Sequence, residues 1–550
     1  MANNNFVFFG SGADQRSDSD IADADTLGRK GANLLAMHKA GLPVPPGFIL
    51  PVSVGQDVAD CGSVSKETMQ AVREGLDWLS QITGRTFGDP DDPLLVSVRS
   101  GAAVSMPGMM DTVLNVGLFE GAVAGLTDRS GDPRFAWDTY RRFIQNFGSI
   151  VLGVEREEFE MILEDLRASH DCESDAELPL KALQESAGIF QDCIGELAEM
   201  PFSSDPFDHV ESALVAVFDS WKTPRAERYR TINKIEDVGG SAAIIQAMVF
   251  GNHPERSCTG VCFTRNPSTG AKRPFGEWLP NAQGEDVVSG FHTPNELTEA
   301  GRRDALSSAP SMERTMPDQF AELMQVGNAL EAQFRDMQEI EFTVEQGKLW
   351  LLQTRTGKRT DKASLHIAVC LAEEGIISRE EALARCGAEL IDPMLVSRAR
   401  PKPSDKPLAK GLPAVPGAVC AEVVFSSDRA ADAQKQARAV ILMRPETDPK
   451  DAHGMNAAVG IITSRGGMTS HAAVVARGMN KPCITAANGL TIELEKALAR
   501  VGEVVINEGD VITMDGATGQ LWFGEIELET PEPDGDLAKL LAWKEQASGS

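Results

Sequence analysis

Apolar residues recur every three or four positions in FAWDTYRRFIQNFGSIVLGV and EEFEMILEDLRASH, and every second position in EIEFTV, so helix and strand periods take turns along the chain. Up to about residue 125, short strand runs alternate with Gly-rich turns. In TLGRKGANLLAMHKAGLPVPPGFIL a Gly-Arg-Lys-Gly turn opens a helix that ends at Gly41 and the prolines, and LLVSVRSGAAVSMPGMMDTVLNVG is a second such element. The helical period dominates from about residue 132 to 232. Strand signals return in SAAIIQAMVFG, CTGVCFTRNP and GEWLPNAQGEDVVSG, then in IEFTVEQGKLWLLQTR, which reads as a hairpin turning near Gly347. A helical pair, SLHIAVCLAEEGIISREEALARC, leads into ARPKPSDKPLAKGLPAVPG, whose Pro and Lys content and scarcity of large apolar side chains predict a linker. Residues 417–525 predict a compact α/β unit with strands at ARAVILM and AAVGIITS and a β-rich close, GEVVINEGDVITMDGATGQLWFG. An acidic tail with one short helix follows.

At 550 residues the chain exceeds a single core, and roughly 150 residues per domain gives three or four units. The 42% hydrophobic and 24% charged fractions are those of a folded, soluble protein, so no disordered class is needed. A net charge of -29 repels polyanions and argues against a nucleic-acid partner; any phosphate site must concentrate its cations locally. The N-terminal MANNNFVFFGSGADQ has no basic and apolar leader, and no stretch of about 20 apolar residues occurs, so the expected setting is the cytoplasm with no membrane contact. Nine scattered cysteines, with Cys258 and Cys262 the closest pair, read as reduced structural thiols.

One stretch looks placed for chemistry. In SRGGMTSHAAVVARGM a strand delivers the chain to Arg465-Gly466-Gly467, where glycine permits the positive φ of a sharp strand-to-helix turn. Thr469 or Ser470 can cap the following helix, which puts His471 in its first turn. Unpaired N–H groups and the helix dipole favour an anion there, and the dipole lowers the pKa of an imidazole, leaving a ring nitrogen nucleophilic near neutral pH. A lone histidine more often caps or packs; the Gly-Gly pair, the hydroxyls and the apolar face shift the reading toward nucleophilic catalysis.

GMTSHAAVVARGMNKPC resembles the phosphohistidine motif of the phosphoenolpyruvate-utilising swivelling domain. GRKGANL, GLPVPPGF, SVRSGA, SMPGMMDT, CFTRNPSTG, NAQGEDVV, LLQTRTGKRT and RPETDPKDAHGM follow the order of the pyruvate, phosphate dikinase family, so the resemblance covers nearly the whole chain. It implies an α/β and α+β multidomain fold. An ATP-grasp nucleotide-binding domain with a helical insertion would occupy about 1–360, a helical pair and linker about 361–416, the swivelling phosphohistidine domain about 417–525 and a tail about 526–550.

The resemblance further implies ATP and Mg²⁺ as cofactors, inorganic phosphate as co-substrate, and room for a homodimer. Lys30, Arg99 and Arg355 would contact ATP phosphates; Glu285 and Gln353 match positions in nucleotide or metal contact; Gln246 and Met248 lie on a strand resembling the one that lines adenine. Glu339 and Glu341, placed on one strand face by the two-residue period, would hold the metal. The methionines of SMPGMMDT, bent by Pro107 and Gly108, could cover adenine or close a core corner. Thr469 occupies a position that in the family is phosphorylated to switch the enzyme off, and a dianion beside His471 would repel incoming phosphate.

Two residues depart from the family: Glu339 stands where Asp is expected, and Ala103 where Arg is usual. The family's C-terminal (β/α)₈ barrel for pyruvate or phosphoenolpyruvate needs about 250 residues. Only about 25 follow Gly524, so the expected activity is the nucleotide half-reaction: ATP and phosphate phosphorylate His471, releasing AMP and pyrophosphate, with pyruvate served elsewhere. Two alternatives stay open: an enzyme like phosphoenolpyruvate synthase or rifampin phosphotransferase, which would release phosphate rather than need it, and a silent nucleotide-binding phosphocarrier or regulatory protein.

Overall fold

The computed structural model describes residues 6–13, 23–104, 106, 108–198, 202–233, 235, 239–253, 255–288, 293–387, 397–529 and 535–548. They group into two compact units, one of residues 1–257 and 344–353, the other of residues 258–343 and 354–550.

The first unit is built on an antiparallel sheet of β1 (Val7–Phe9), β2 (Gly47–Leu50), β3 (Val96–Gly101), β4 (Thr112–Val116) and β5 (Ala242–Ala247), in the order β1-β2-β5-β3-β4. The central strand β5 is buried at every position, as its run AAIIQA requires. The helix Ala24–Lys39 starts earlier than the Gly-Arg-Lys-Gly turn suggests, with Asp23 as its cap, and is kinked at Gly28 (φ 68°). A side chain at Gly28 would collide with Gly101 O, so that glycine lets the helix press against β3. Among the described residues five α-helices run between Pro133 and Ile232; Asp132, Asp205 and Thr223 cap three of them just before a proline at the first turn. Their interior is aromatic, with Phe143, Phe147, Phe159 and Phe190 fully packed. His209 lies among Phe143, Phe147 and Phe202, and burial pushes its pKa down, as for a core histidine.

A further sheet is formed by β6 (Cys258–Phe263), β7 (Phe275–Pro280), β8 (Asn295–Glu296), β9 (Gln338–Glu345) and β10 (Lys348–Thr356) in the order β10-β9-β6-β7-β8; residues 344–353 of its last two strands group with the first unit and the rest with the second. The β9–β10 hairpin turns at Gln346-Gly347, both at positive φ (49° and 79°), the two-residue turn that matches strand twist. Arg265, fully buried after β6, is bidentate to Glu331 (2.6 and 3.0 Å) and reaches Glu374 at 2.8 Å, tying the sheet to the helices Pro317–Phe334 and Asp361–Glu373. The helix Gly535–Ser548 packs Leu537 and Leu540 against Leu365 and Val369, and His366 Nδ1 lies 2.5 Å from Asp536.

The second unit also contains a sheet of β12 (Ala409–Lys410), β13 (Leu412–Val415), β14 (Ala418–Val424), β15 (Val440–Arg444), β16 (Gly460–Thr463), β17 (Cys483–Thr485), β21 (Val511–Asp515) and β22 (Gln520–Phe523). Its order is β12-β22-β21-β14-β15-β16-β17-β13, with β14 to β17 parallel. Smaller pieces are β18 (Leu490–Glu493), β19 (Leu498–Val501) and β20 (Val504–Asn507) in a meander, and β11 (Arg398–Ala399) paired with β23 (Leu528–Glu529). The Pro/Lys-rich stretch read as a linker is not free chain: β12 and β13, separated by Gly411, pair with opposite edges of the eight-stranded sheet. Pro413 is tolerated because it sits on an edge strand at a register shift. Val440 and Leu442 face one apolar layer while Ile441 and Met443 face another, the alternation that fixes the register.

Replacing Arg265 by Leu leaves buried Glu331 without its partner and should destabilise the second unit by about 3–5 kcal/mol, read in urea unfolding as a lower midpoint of that unit's transition. The double change Arg265→Leu, Glu331→Leu should recover most of the loss, because no uncompensated charge then remains inside.

Candidate functional site

Open parallel sheets place chemistry beyond the carboxyl ends of their strands. β15 and β16 are neighbours, with Arg444 opposite Thr463, and the two loops that leave them carry Thr447 and His471. After β16 the chain turns at Gly466 (φ 89°), and Ser470, with extended φ/ψ, caps the helix His471–Gly478 by accepting the Ala473 N–H at 3.5 Å. His471 is thus the first helical residue, at the end where amide hydrogens favour an anion.

The ring is held from the other loop. Nδ1 lies 3.0 Å from the hydroxyl of Thr447, whereas Nε2 is buried and has no hydrogen-bond partner. Burial lowers the His471 pKa to about 4, against the opposing pull of Asp448 and Asp451, so the ring is neutral near pH 7. Those two carboxylates serve the loop itself: they form a capping box around Pro449–Asp451, and Asp451 also accepts from Ser427 Oγ at 2.5 Å.

Beneath the loop lies Glu277 of β7, 2% exposed. Its Oε1 accepts the Met468 N–H at 2.5 Å; its Oε2 accepts the Thr469 N–H at 3.3 Å and the Thr469 hydroxyl at 2.5 Å. Arg477 Nη2 donates to Met468 O at 2.8 Å. Burial raises the Glu277 pKa while these bonds and Arg477 oppose the rise. The Glu296 carboxyl is pushed up to about 8 by burial and then by the charge of Glu277. A side chain at Gly467 would collide with the Glu277 carboxylate, so the two glycines serve different ends: Gly466 turns the chain and Gly467 admits the acid.

The residues expected to meet nucleotide fall in both units. Lys30, Arg99, Gln246, Met248 and Gln353 belong to the first. There Arg99 Nη1 donates to Leu352 O at 3.0 Å and approaches Gln246 Oε1 at 3.4 Å, while Gln246 Nε2 donates to Pro45 O. Gln246 thereby steadies Arg99, and the Met248 N–H is committed to Leu95 O. Met106 and Met109 pack with Trp221, Ala226 and Tyr229 in a small apolar cluster, a closed core corner; Pro107 lies outside the described residues. Arg29 Nε donates to Ala103 O at 3.3 Å, so a guanidinium of the first helix reaches the loop where the family's arginine is missing.

Glu285, Glu339, Glu341, Arg355, Thr469 and His471 belong to the second unit. Glu339 and Arg355 form an ion pair across the hairpin, and Glu339 keeps a second, buried oxygen without a partner. Glu285 and Glu341 are half-buried. Among the described residues no group of three or more acids, histidines or cysteines is arranged to hold a metal by itself. No described helix is long and apolar enough to cross a membrane, and all nine cysteines are free thiols.

Sequence reasoning missed Glu277 and Thr447. A lone acid inside the strand FGEWLP was the only local sign of the first, and its partners are 191 and 192 residues away. Thr447 lies in RPETDPKD, where only the fold brings it to the ring.

Residues 62–316 and 307–374 match the model of the pyruvate phosphate dikinase AMP/ATP-binding domain, and residues 437–519 match the mobile domain of PEP-utilising enzymes. The chain is 50% identical over 536 residues to pyruvate, phosphate dikinase of Rhizobium meliloti (strain 1021), covering 97% of this chain and 59% of that protein. It is 43% identical over 539 residues to the chloroplastic pyruvate, phosphate dikinase 1 of Zea mays, covering 97% and 55%, and 43% identical over 524 residues to the enzyme of Clostridium symbiosum, covering 94% and 59%. The chain therefore spans less than two thirds of the length of these relatives. With a nucleotide-domain match over more than half its residues and the mobile-domain match behind it, the chain belongs to the pyruvate, phosphate dikinase family.

Proposed function

We propose that this chain performs the nucleotide half of the dikinase reaction, with His471 as phosphoryl carrier. The observation that carries this is the state of the ring: Nδ1 is engaged by Thr447 and Nε2 is left without a partner at a helix N-terminus. With Nδ1–H donating to Thr447 Oγ1, the Nε2 lone pair attacks the β-phosphorus of ATP. The bond from that phosphorus to the α,β-bridging oxygen breaks, and the oxygen leaves with AMP. An oxygen of inorganic phosphate then attacks the outer phosphorus, pyrophosphate departs, and one phosphoryl group stays on Nε2. Amide hydrogens of the first helical turn disperse its charge.

In this reading Lys30, Arg99 and Arg355 neutralise the phosphate chain, Glu285 and Gln353 hold the nucleotide, and Gln246 and Met248 line adenine. The orphaned oxygen of Glu339, with Glu341 one strand period away, fits Mg²⁺, which takes one or two carboxylates alongside nucleotide phosphates. When bound, that ion supplies charge neutralisation on the phosphate oxygens. Transfer from phospho-His471 to pyruvate, giving phosphoenolpyruvate, completes the proposed reaction. A homodimer in the cytoplasm belongs to the same reading; nine free thiols fit a reducing compartment.

Thr469 is proposed as a regulatory position. Its hydroxyl is spent on buried Glu277, so a phosphate there would set a dianion against a carboxylate and dislodge the histidine loop. Thr469→Asp should therefore lower phosphorylation of His471 by about tenfold or more, measured as the initial rate of labelling.

The central test is incubation with ATP labelled at the β-phosphate, Mg²⁺ and phosphate. Acid-labile, base-stable label should accumulate on the wild-type chain and none on His471→Asn, and added phosphate should release pyrophosphate while the β-label stays on the protein. Equal labelling of His471→Asn rejects His471 as carrier; phosphate release without a phosphate requirement favours the synthase-like alternative. Thr447→Val should slow labelling by about tenfold, the worth of one orienting hydrogen bond. Because the unprotonated ring is the nucleophile and its pKa is lowered to about 4, the labelling rate should hold from pH 7.5 to about 5.5 and fall only as pH approaches 4. An acid limb centred near 6.5 would show instead a ring that titrates as if exposed.

A further inference from the structure

Two residues beyond Arg355, which pairs with Glu339 from β10 to β9, the segment Gly357–Thr360 is pinned at nearly every position. The Gly357 N–H donates to Met337 O at 3.1 Å, and a side chain at Gly357 would collide with Met337. Arg359 is bidentate to Asp336 at 2.8 and 2.9 Å. Thr360 caps the next helix by accepting the Ala363 N–H at 3.2 Å and donates to Ser268 O at 3.0 Å. Lys358 is the exception. It is half-buried, and among the described residues its ammonium makes no hydrogen bond and no ion pair.

The surroundings make that omission costly. Burial disfavours the Lys358 charge, the Arg355 guanidinium repels it, and only Glu339, already paired with Arg355, opposes both. Its Nζ lies 3.8 Å from where a Cβ of Gly478 would stand, so the side chain reaches the last turn of the histidine helix. The negative end of that helix gives some relief, yet no carbonyl there accepts a bond from it. Two neighbouring cations with one carboxylate between them, one cation without any acceptor, suit a ligand bearing several anionic oxygens.

We propose that Lys358 binds the phosphate chain of the nucleotide and free pyrophosphate, acting beside Arg355. The inference deepens the nucleotide-dependent reading above and rests on it for the identity of the ligand. Lys358 acts as a point charge that three rotatable donors can aim at phosphate oxygens, whereas Arg355 offers a planar fork partly occupied by Glu339. AMP, whose single phosphate does not extend along the chain, would gain little from it.

Calorimetric titration of the full chain with pyrophosphate and, separately, with AMP tests this without any chemistry at His471. Lys358→Gln should weaken pyrophosphate binding by about tenfold or more and leave AMP binding within about twofold, while Lys358→Arg keeps most of the pyrophosphate affinity. Unchanged pyrophosphate affinity in Lys358→Gln overturns the proposal, as does a parallel loss for AMP, which would mark a structural role at the helix end. If the wild-type chain binds pyrophosphate and the Gln variant does not, but ATP never labels His471, the half-reaction falls while the Lys358 assignment stands. A wild-type chain that binds no pyrophosphate sinks the assignment itself.

Discussion

A single buried carboxylate sets the position of the histidine loop. Glu277 is surrounded by sheet and loop, so its oxygens can be satisfied only by the donors that the loop brings: two amides and one hydroxyl from Met468 and Thr469. An acid left in that place without them would carry the full penalty of desolvation. The loop therefore sits on β7 in one register, Gly467 has no room for a side chain, and the helix that begins at His471 inherits its direction. Glu296 feels the charge of Glu277 and, with burial, is pushed up to about 8, so it stays protonated near pH 7 and leaves Glu277 to its donors.

The chemistry of the ring follows from the sheet beside it. Parallel neighbours β15 and β16 end together, and their loops converge at their carboxyl ends. One loop contributes the hydroxyl that fixes Nδ1; the other contributes the imidazole and the helix N-terminus. Burial then keeps the ring neutral, outweighing Asp448 and Asp451, which pull the other way.

His471 was legible because its local setting is dense with signals: a Gly-Gly turn, a capping hydroxyl and an apolar helix within sixteen residues. Choosing between Thr469 and Ser470 as cap was not possible, since both can accept an amide; Glu277 decides it by claiming the Thr469 hydroxyl. The hairpin at Gly347 was readable from period and turn chemistry alone. The stretch before Gly417 was misread because Leu412 and Val415 are too few to signal a strand, and the partners that order them lie beyond residue 480. The methionine loop had two readings until Trp221 and Tyr229, over a hundred residues later, supplied the walls.

The segment from Ala409 to Val415 joins both margins of the eight-stranded sheet, since β12 pairs with β22 and β13 with β17. Flanks left bare would carry raw backbone donors and acceptors, inviting adhesion to other chains. With β22 and β17 hemmed by the two ends of one short run, only the brief outer edges of β12 and β13 stay open, and the second of these carries a proline that cannot donate.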